Sequence, residues 1–255
     1  MQERTARLTS LIQHVKPGKI VELGCGSGLI LEALSAHFTR STIVGVDIDE
    51  SQLEKVIEKN LLNIIPIKAD LTEKIFPDGT FDTVLFVASL HEVFSYLGKR
   101  KLRAAFQMAH DILMDAGVLI IQDFLKPPTR LVEMAFHNEE ALKSFLRFAR
   151  EYRPRRVKFE ETSQGVTLDI ADAVEFISKY RSPTEEDWKK EMGETHFFFT
   201  EEEYRKMAQK TGFAMKDFKK LPTDETWWVA IREDMELSLE PEHLWTQLVL
   251  KKRVS

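Results

Sequence analysis

The chain has 255 residues, 43% hydrophobic and 30% charged, with a net charge of −5. That is enough to bury the core of one large α/β domain, and it excludes extended disorder and any global attraction to nucleic acid or an anionic membrane. Cys25 is the only cysteine, the polar first ten residues lack a signal-peptide core, and no apolar run reaches the ~18 residues of a membrane span. A disulfide and a cysteine-based zinc cluster are thereby excluded, and a soluble, cytoplasmic protein is expected with no membrane partner.

In chain order, Ala6, Leu8, Leu11, Ile12 and Val15 recur at helical spacing around Glu3 to His14, ending at Lys16-Pro17-Gly18. A strand over Lys19 to Leu23 then enters Gly24, Gly26 and Gly28 and is followed by a helix from Leu29 to Phe38. Such a strand, turn and helix needs glycine because a Cβ would forbid the backbone angles and block a ligand, while free N–H groups at the helix start attract a polar or anionic group. The spacing is G-x-G-x-G. The dinucleotide fingerprint would need its third glycine at Leu29, which argues against a nucleotide-dependent dehydrogenase.

A second strand spans Thr42 to Asp47, and Ser51 is the expected N-cap of a helix over Gln52 to Asn60. Strands follow at Ile64 to Lys68 and, after Pro77-Asp78-Gly79, at Phe81 to Val87. A helix over Lys99 to Met114 stops at Asp115-Ala116-Gly117, and a fifth strand covers Val118 to Asp123. Five β-runs alternating with helices imply a parallel sheet covered on both faces, with ligands at the carboxyl ends of the strands where their order reverses.

The alternation lapses from Leu125 to about Thr195, too long a stretch for a plain loop, so a helical insertion or lid is expected. Its apolar-periodic pieces, Leu131 to Phe148 and Ile170 to Tyr180, flank a basic run from Arg147 to Lys158. A helix from Thr200 to Thr211 opens with a Thr200/Glu203 capping box and ends at Gly212. Strands at Phe213 to Phe218 and Trp227 to Arg232 then read as an antiparallel hairpin about Pro222 to Glu225, with one of Trp227 and Trp228 in the core. The expected division is a core over 1–124, an insertion over 125–196, the rest of the core over 197–235 and an extension over 236–255.

Four acids fall at strand ends: Glu22, Asp47, Asp70 and Asp123. In a parallel sheet they share one rim. Asp47 is placed to accept both hydroxyls of a ribose diol, Asp70 an adenine amine with the Leu71 N–H beside it, and Ile48 offers an apolar face to the base. Singly, each acid is as well explained as a helix cap or a solvated loop residue.

Residues 20 to 124 resemble the class I S-adenosylmethionine-dependent methyltransferases. Val21-Glu22-Leu23-Gly24-Cys25-Gly26-Ser27-Gly28 is similar to their first motif, Gly45-Val46-Asp47-Ile48-Asp49 to their second, and Ala69-Asp70-Leu71 to their adenine-contacting segment. Phe81-Asp82 through Leu90 resembles the fourth-strand motif, and Leu113 to Asp123 the turn and fifth strand. The resemblance implies an α/β, Rossmann-like, seven-stranded, mostly parallel sheet with the last strand antiparallel between the fifth and sixth. It implies S-adenosyl-L-methionine as cofactor, with Gly24 and Gly26 at its methionine part, Asp47 at the ribose and Asp70 at the adenine. The candidate cofactor site is therefore Glu22, Gly24, Gly26, Gly28, Asp47, Ile48, Asp70, Leu71 and Ser89.

Methyl transfer from a sulfonium needs positioning and exclusion of water more than covalent help, and a base only if the acceptor must lose a proton. His91, just past the fourth strand, is the candidate catalytic base, and Ser89 to Glu92 the candidate acceptor wall. A lone histidine is as readily structural. The chain lacks the Asn/Asp-Pro-Pro-Tyr/Phe motif of many nucleic-acid amine methylases, and the paired acids and asparagine of metal-dependent catechol-type enzymes, so no metal is expected. Arg147, Arg150, Arg153, Arg155, Arg156 and Lys158 suit phosphate or carboxylate groups, or else make a solvated face balanced by Glu151, Glu160 and Glu161. His196-Phe197-Phe198-Phe199 and Trp188 are candidates for a hydrophobic lid, and the tail from Leu237 to Ser255 for an extra element or a homodimer surface.

The reading is a methyltransferase acting at oxygen or nitrogen of a small or medium-sized acceptor. Its alternatives are an RNA (tRNA or rRNA) methyltransferase guided by the basic run, and a non-catalytic S-adenosylmethionine-binding regulatory or scaffold module.

Overall fold

Apolar runs of five to twelve residues build the parallel half of a seven-stranded sheet: β1 (Lys19–Leu23), β2 (Thr42–Asp47), β3 (Ile64–Lys68), β4 (Phe81–Val87) and β5 (Leu113–Phe124). They are seen in a computed structural model that describes residues 2–223 and 225–253, apart from the side chains of residues 2–5, 226, 227 and 230. The order β3-β2-β1-β4-β5 is parallel throughout. It reverses between β1 and β4, which opens the crevice where such sheets bind ligands.

Side-chain alternation divides the core. Val21, Leu23, Val84 and Phe86 pack on one face against α4 (Leu90–Ile112) and α8 (Glu201–Lys210). Ile20, Ile43, Leu85 and Ile120 pack on the other with residues of α1 (Gln2–Ile12), α2 (Leu29–His37) and α3 (Glu50–Glu58). Since successive strand residues face opposite sides, each strand feeds both cores.

Three boundaries differ from expectation. Asp49, not Ser51, caps α3, because its extended backbone lets the carboxylate accept the Ser51 N–H at 2.9 Å. Helix α4 starts at Leu90 rather than Lys99 and is broken at Gly98, whose φ of 75° no other residue adopts easily. Strand β5 starts at Leu113, since Leu113 pairs with Phe81 before the register shifts and Val118 meets Thr83.

The expected insertion is not all helical. It contains β6 (Leu131–Phe136), α5 (Glu139–Glu151), β7 (Phe159–Glu161), β8 (Gly165–Asp169), α6 (Ile170–Lys179) and α7 (Glu185–Glu191). With β10 (Met235–Leu237) the strands form an antiparallel sheet ordered β10-β6-β8-β7. The window from Leu131 to Phe148 joined a strand to a helix capped by Asn138, whose side chain accepts the Ala141 N–H. Phe145, Phe148, Phe176, Trp188 and Trp228 fill a core of its own.

The seventh strand does lie antiparallel between the fifth and sixth, but the expected hairpin is wrong. Its strand is β11 (Trp245–Lys252), paired with both β5 and β9 (Phe213–Leu221). Five consecutive buried residues suit a strand flanked on both sides. Trp227 and Trp228 lie instead on α9 (Glu225–Ile231), where Trp228 and Ile231, one turn apart, enter the second core. The side chain of Trp227 and the end of the tail, Val254 and Ser255, lie outside the described residues. The C-terminal segment read as an extension thus supplies an interior strand, next to the edge strand β9. Among the described residues no helix is long and apolar enough to cross a membrane.

Candidate active site

The glycine turn after β1 is fixed by its neighbour strand. Gly24 and Cys25 donate their N–H groups to the Val46 carbonyl at 2.8 and 2.9 Å, and Gly26 donates to Asp47 Oδ2 at 2.8 Å. Gly24, Gly26 and Gly28 all have positive φ, at 80°, 49° and 75°. A Cβ on Gly26 would meet nothing within 4 Å, so that turn faces open space. A Cβ on Gly28 would come within 2.8 Å of Val56, so that glycine serves the packing of α2 on α3.

Above the turn lies a cavity of about 1240 Å³. Glu22, Gly24, Gly26, Asp47, Ile48, Asp70, Leu71 and Ser89 line it together. Gly28 and His91 do not. Asp47 Oδ1 accepts the Asp49 N–H at 2.9 Å, so backbone donors hold both carboxylate oxygens while each keeps a further lone pair. Asp70 Oδ1 accepts the Thr72 N–H at 2.8 Å, and the Ala69 N–H reaches the Asp47 carbonyl at 3.0 Å, tying the two acidic loops together. Ile48 is 66% exposed, an apolar surface left bare at the rim.

Glu22 is buried, and its Oε2 has no hydrogen-bond partner among the described residues. Burial, and then the Asp47 charge, push its pKa well above the usual carboxylate range. Burial and the charges of Glu22 and Asp47 likewise keep Cys25 a thiol.

Asp123 does not join the rim. It is fully buried; Oδ2 accepts the N–H groups of Leu90 and His91 at 3.0 and 3.2 Å, while Oδ1 accepts from Phe124 and meets His91 Nδ1 at 2.8 Å. It satisfies the opening donors of α4. His91 is buried with it, its ring edge-on to Phe124 and to His196, at centroid distances of 5.2 and 5.1 Å. Burial lowers the His91 pKa, but the charge and hydrogen bond of Asp123, with Glu92 and Glu194, outweigh it and leave the pKa raised. The expected base is therefore turned away from the cavity.

The cavity is also lined by Arg7, Tyr96, Gln122 and Lys190, which the sequence did not flag. Arg7 of α1 places its guanidinium 4.1 Å over the Trp245 ring. Gln122 donates to the Arg7 carbonyl at 2.8 Å, Tyr96 to Glu194 at 2.6 Å, and Lys190 stands 3.6 Å from Glu92. Helical arginines and lysines carry no local signal that separates a cavity lining from solvent. Glu92, the partner of Lys190, was anticipated; burial raises its pKa, opposed by Lys190.

Four members of the basic run are tied to neighbouring groups of the chain, although Arg150, Arg153, Arg156 and Lys158 stay exposed. Arg147 pairs with Glu185 and Glu151, Arg150 with Glu151, and Arg155 with Asp172 and Glu175, while Arg153 donates to the Lys189 carbonyl. Phe198 and Phe199 belong to the main core, Phe197 and Trp188 to the second. They are packing residues, not a lid.

A family model described as "Methyltransferase domain" matches residues 1–217. Trans-aconitate 2-methyltransferase of Acidovorax ebreus (strain TPSY) is 28% identical over 163 residues, 62% of this chain and 60% of that protein. Malonyl-[acyl-carrier protein] O-methyltransferase of Legionella pneumophila is 30% identical over 94 residues, 35% of this chain and 33% of that protein. The chain thus matches at most about 60% of the length of these curated relatives. Among solved structures, a putative methyltransferase from Bacillus halodurans C-125 superposes with a TM-score of 0.61 at 13% identity, over 98% of this chain and 100% of that one. An S-adenosylmethionine-dependent methyltransferase from Mesorhizobium loti gives 0.60 at 17% identity, over 97% and 96%. Both likenesses show the shared fold.

Proposed function

The chain belongs to the class I S-adenosylmethionine-dependent methyltransferase family, and from that premise we propose that it methylates a carboxylate oxygen of a small organic acid. The cofactor half of the cavity fits that cofactor on its own chemistry. Glu22 Oε2, buried without a partner, suits the cationic amino group of the methionine part. Asp47, held by two backbone N–H groups, suits the ribose diol; Asp70, Leu71 and Ile48 suit the adenine. When bound, the cofactor supplies an electrophilic methyl group on a sulfonium.

The observation that carries the acceptor assignment is the composition of the cavity lining. Among the described residues no histidine lines the cavity, whereas Arg7 and Lys190 both do. A carboxylate reaches the site already deprotonated, so it needs cations to orient it and no base. Its volume exceeds the roughly 300–1,000 Å³ of a single drug-sized ligand, leaving room for an acceptor beside the cofactor. Val93, Tyr96 and Leu97 add apolar surface to the same cavity, and closeness in the right orientation supplies much of the rate. The relatives named for trans-aconitate and for malonyl-[acyl-carrier protein] support an acidic acceptor. The pairing of Arg147, Arg150 and Arg155 with acids of the same chain weakens the support that the basic run lends to an RNA substrate.

A donor labelled in the methyl group, incubated with a panel of small di- and tricarboxylic acids, tests the reading. A methyl ester releases its label as volatile methanol in alkali. Alkali-stable label, or transfer to amines and phenols alone, would contradict it.

A further inference from the structure

Behind the wall made by Tyr96 and Lys190, outside the cavity, three buried side chains converge: His91 of α4, Glu194, and His196. One ligand-capable atom of each lies within 4.8 Å of those of the other two. Tetrahedral coordination with bonds of 2.0–2.1 Å sets neighbouring donor atoms about 3.3 Å apart, so a shift of about 1.5 Å or less closes the set.

The outer hydrogen bonds prepare both rings. His196 Nδ1 lies 3.0 Å from Ser178 Oγ, and that hydroxyl already spends its proton on the Glu175 carbonyl at 2.8 Å. Ser178 can therefore only accept, which puts the proton on Nδ1 and the lone pair on Nε2, 3.9 Å from Glu194 Oε2. His91 Nδ1 meets the Asp123 carboxylate in the same way, so its Nε2 is the outward nitrogen. A carboxylate or hydroxyl behind the imidazole is how proteins fix the tautomer of a metal-binding histidine. Phe124 stacks on the His196 ring at 4.5 Å and 5° and holds it in place.

Acids face both rings: Asp123 bonds His91 Nδ1, Glu191 and Glu194 stand 3.4 and 3.9 Å from His196 Nε2, and Glu175 accepts the His196 backbone N–H. Among the described residues Lys179, 2.9 Å from Glu191, and Lys190, 3.7 Å from Glu194, stand against them.

We infer that His91, Glu194 and His196 bind a divalent transition-metal ion, with two imidazoles and one carboxylate selecting zinc over calcium or magnesium. Glu191, 3.4 Å from His196 Nε2, or a water completes four ligands. The ion clasps the start of α4, which carries Glu92, Val93 and Tyr96 into the cavity, to the segment that follows α7. It stands apart from the cavity and takes no part in methyl transfer.

The test uses the whole chain without a histidine tag, stripped with chelator and titrated with Zn²⁺ by calorimetry and with Co²⁺ by absorption. One equivalent of Zn²⁺ with a rise in Tm is expected, together with the visible bands of four-coordinate Co²⁺. Two exchangeable, paramagnetically shifted ring N–H signals in the Co²⁺ protein would report two histidine ligands without any substitution. His196→Asn and Glu194→Gln, close in shape to the originals, should weaken Zn²⁺ binding at least 100-fold. No Zn²⁺ binding by the wild-type chain, six-coordinate Co²⁺, or unchanged affinity in folded variants overturns the inference.

Discussion

A Cβ placed on Gly24 would stand 2.5 Å from the Ser89 Cβ, and Ser89 Oγ donates to the Leu23 carbonyl at 2.9 Å. The turn after β1 and the end of β4 are thus locked against each other at the floor of the cavity. Gly24→Ala meets this contact at a φ of 80°, adding about 1 kcal/mol of backbone strain to about 1–3 kcal/mol of overpacking. A lowered Tm with no measurable binding of S-adenosylmethionine is expected; wild-type melting would show that the two segments are not in contact.

Glu22 makes stability depend on pH. Burial, reinforced by Asp47, raises its folded pKa above the unfolded value, so the folded state holds the proton more tightly. Its contribution is fully present below the unfolded pKa and is lost as pH rises through the folded pKa. Glu22→Gln, which stays neutral, should melt above the wild type at neutral pH without ligand, and the difference should vanish near pH 4. Binding of S-adenosylmethionine should weaken. Parallel Tm profiles for the two proteins would contradict the assignment.

Lys190 supplies charge at the acceptor wall. Lys190→Met should raise the KM for an anionic acceptor by on the order of 10-fold or more, the loss of one charge-assisted hydrogen bond, with the affinity for S-adenosylmethionine unchanged. Equal KM values for both proteins would remove the residue from acceptor binding.

Thr200 holds α8 by the reciprocal bonds of its capping box with Glu203. Thr200→Ala should cost about 1 kcal/mol, or about 2–4 °C in Tm, and leave ligand binding untouched. A thermal melt with a binding titration reads both.

The strands that were legible in the sequence are those whose own apolar run and bounding turn define them: β1 to β4 begin and end where the sequence places them. Pairing that is decided elsewhere was not legible. Trp227 and Trp228 have strand-like side chains, yet α9 buries Trp228 where the second core needs it, and β11 takes the slot beside β5 although more than a hundred residues separate them. The rim of Glu22, Asp47 and Asp70 was readable because each lies at or just past the carboxyl end of a strand in one parallel sheet. The inward turn of His91 was not, because it depends on Asp123, 32 positions away, and on His196, whose neighbourhood no local pattern encodes.

Asp47 joins the glycine turn to the second strand and, on this account, holds the cofactor ribose. Isothermal titration of S-adenosylhomocysteine into the wild-type chain and into Asp47→Ala is the most direct measurement. One equivalent should bind the wild type and none the variant, with the two circular dichroism spectra superimposable. Absence of binding to the wild type, or equal affinity in the variant, would contradict the account.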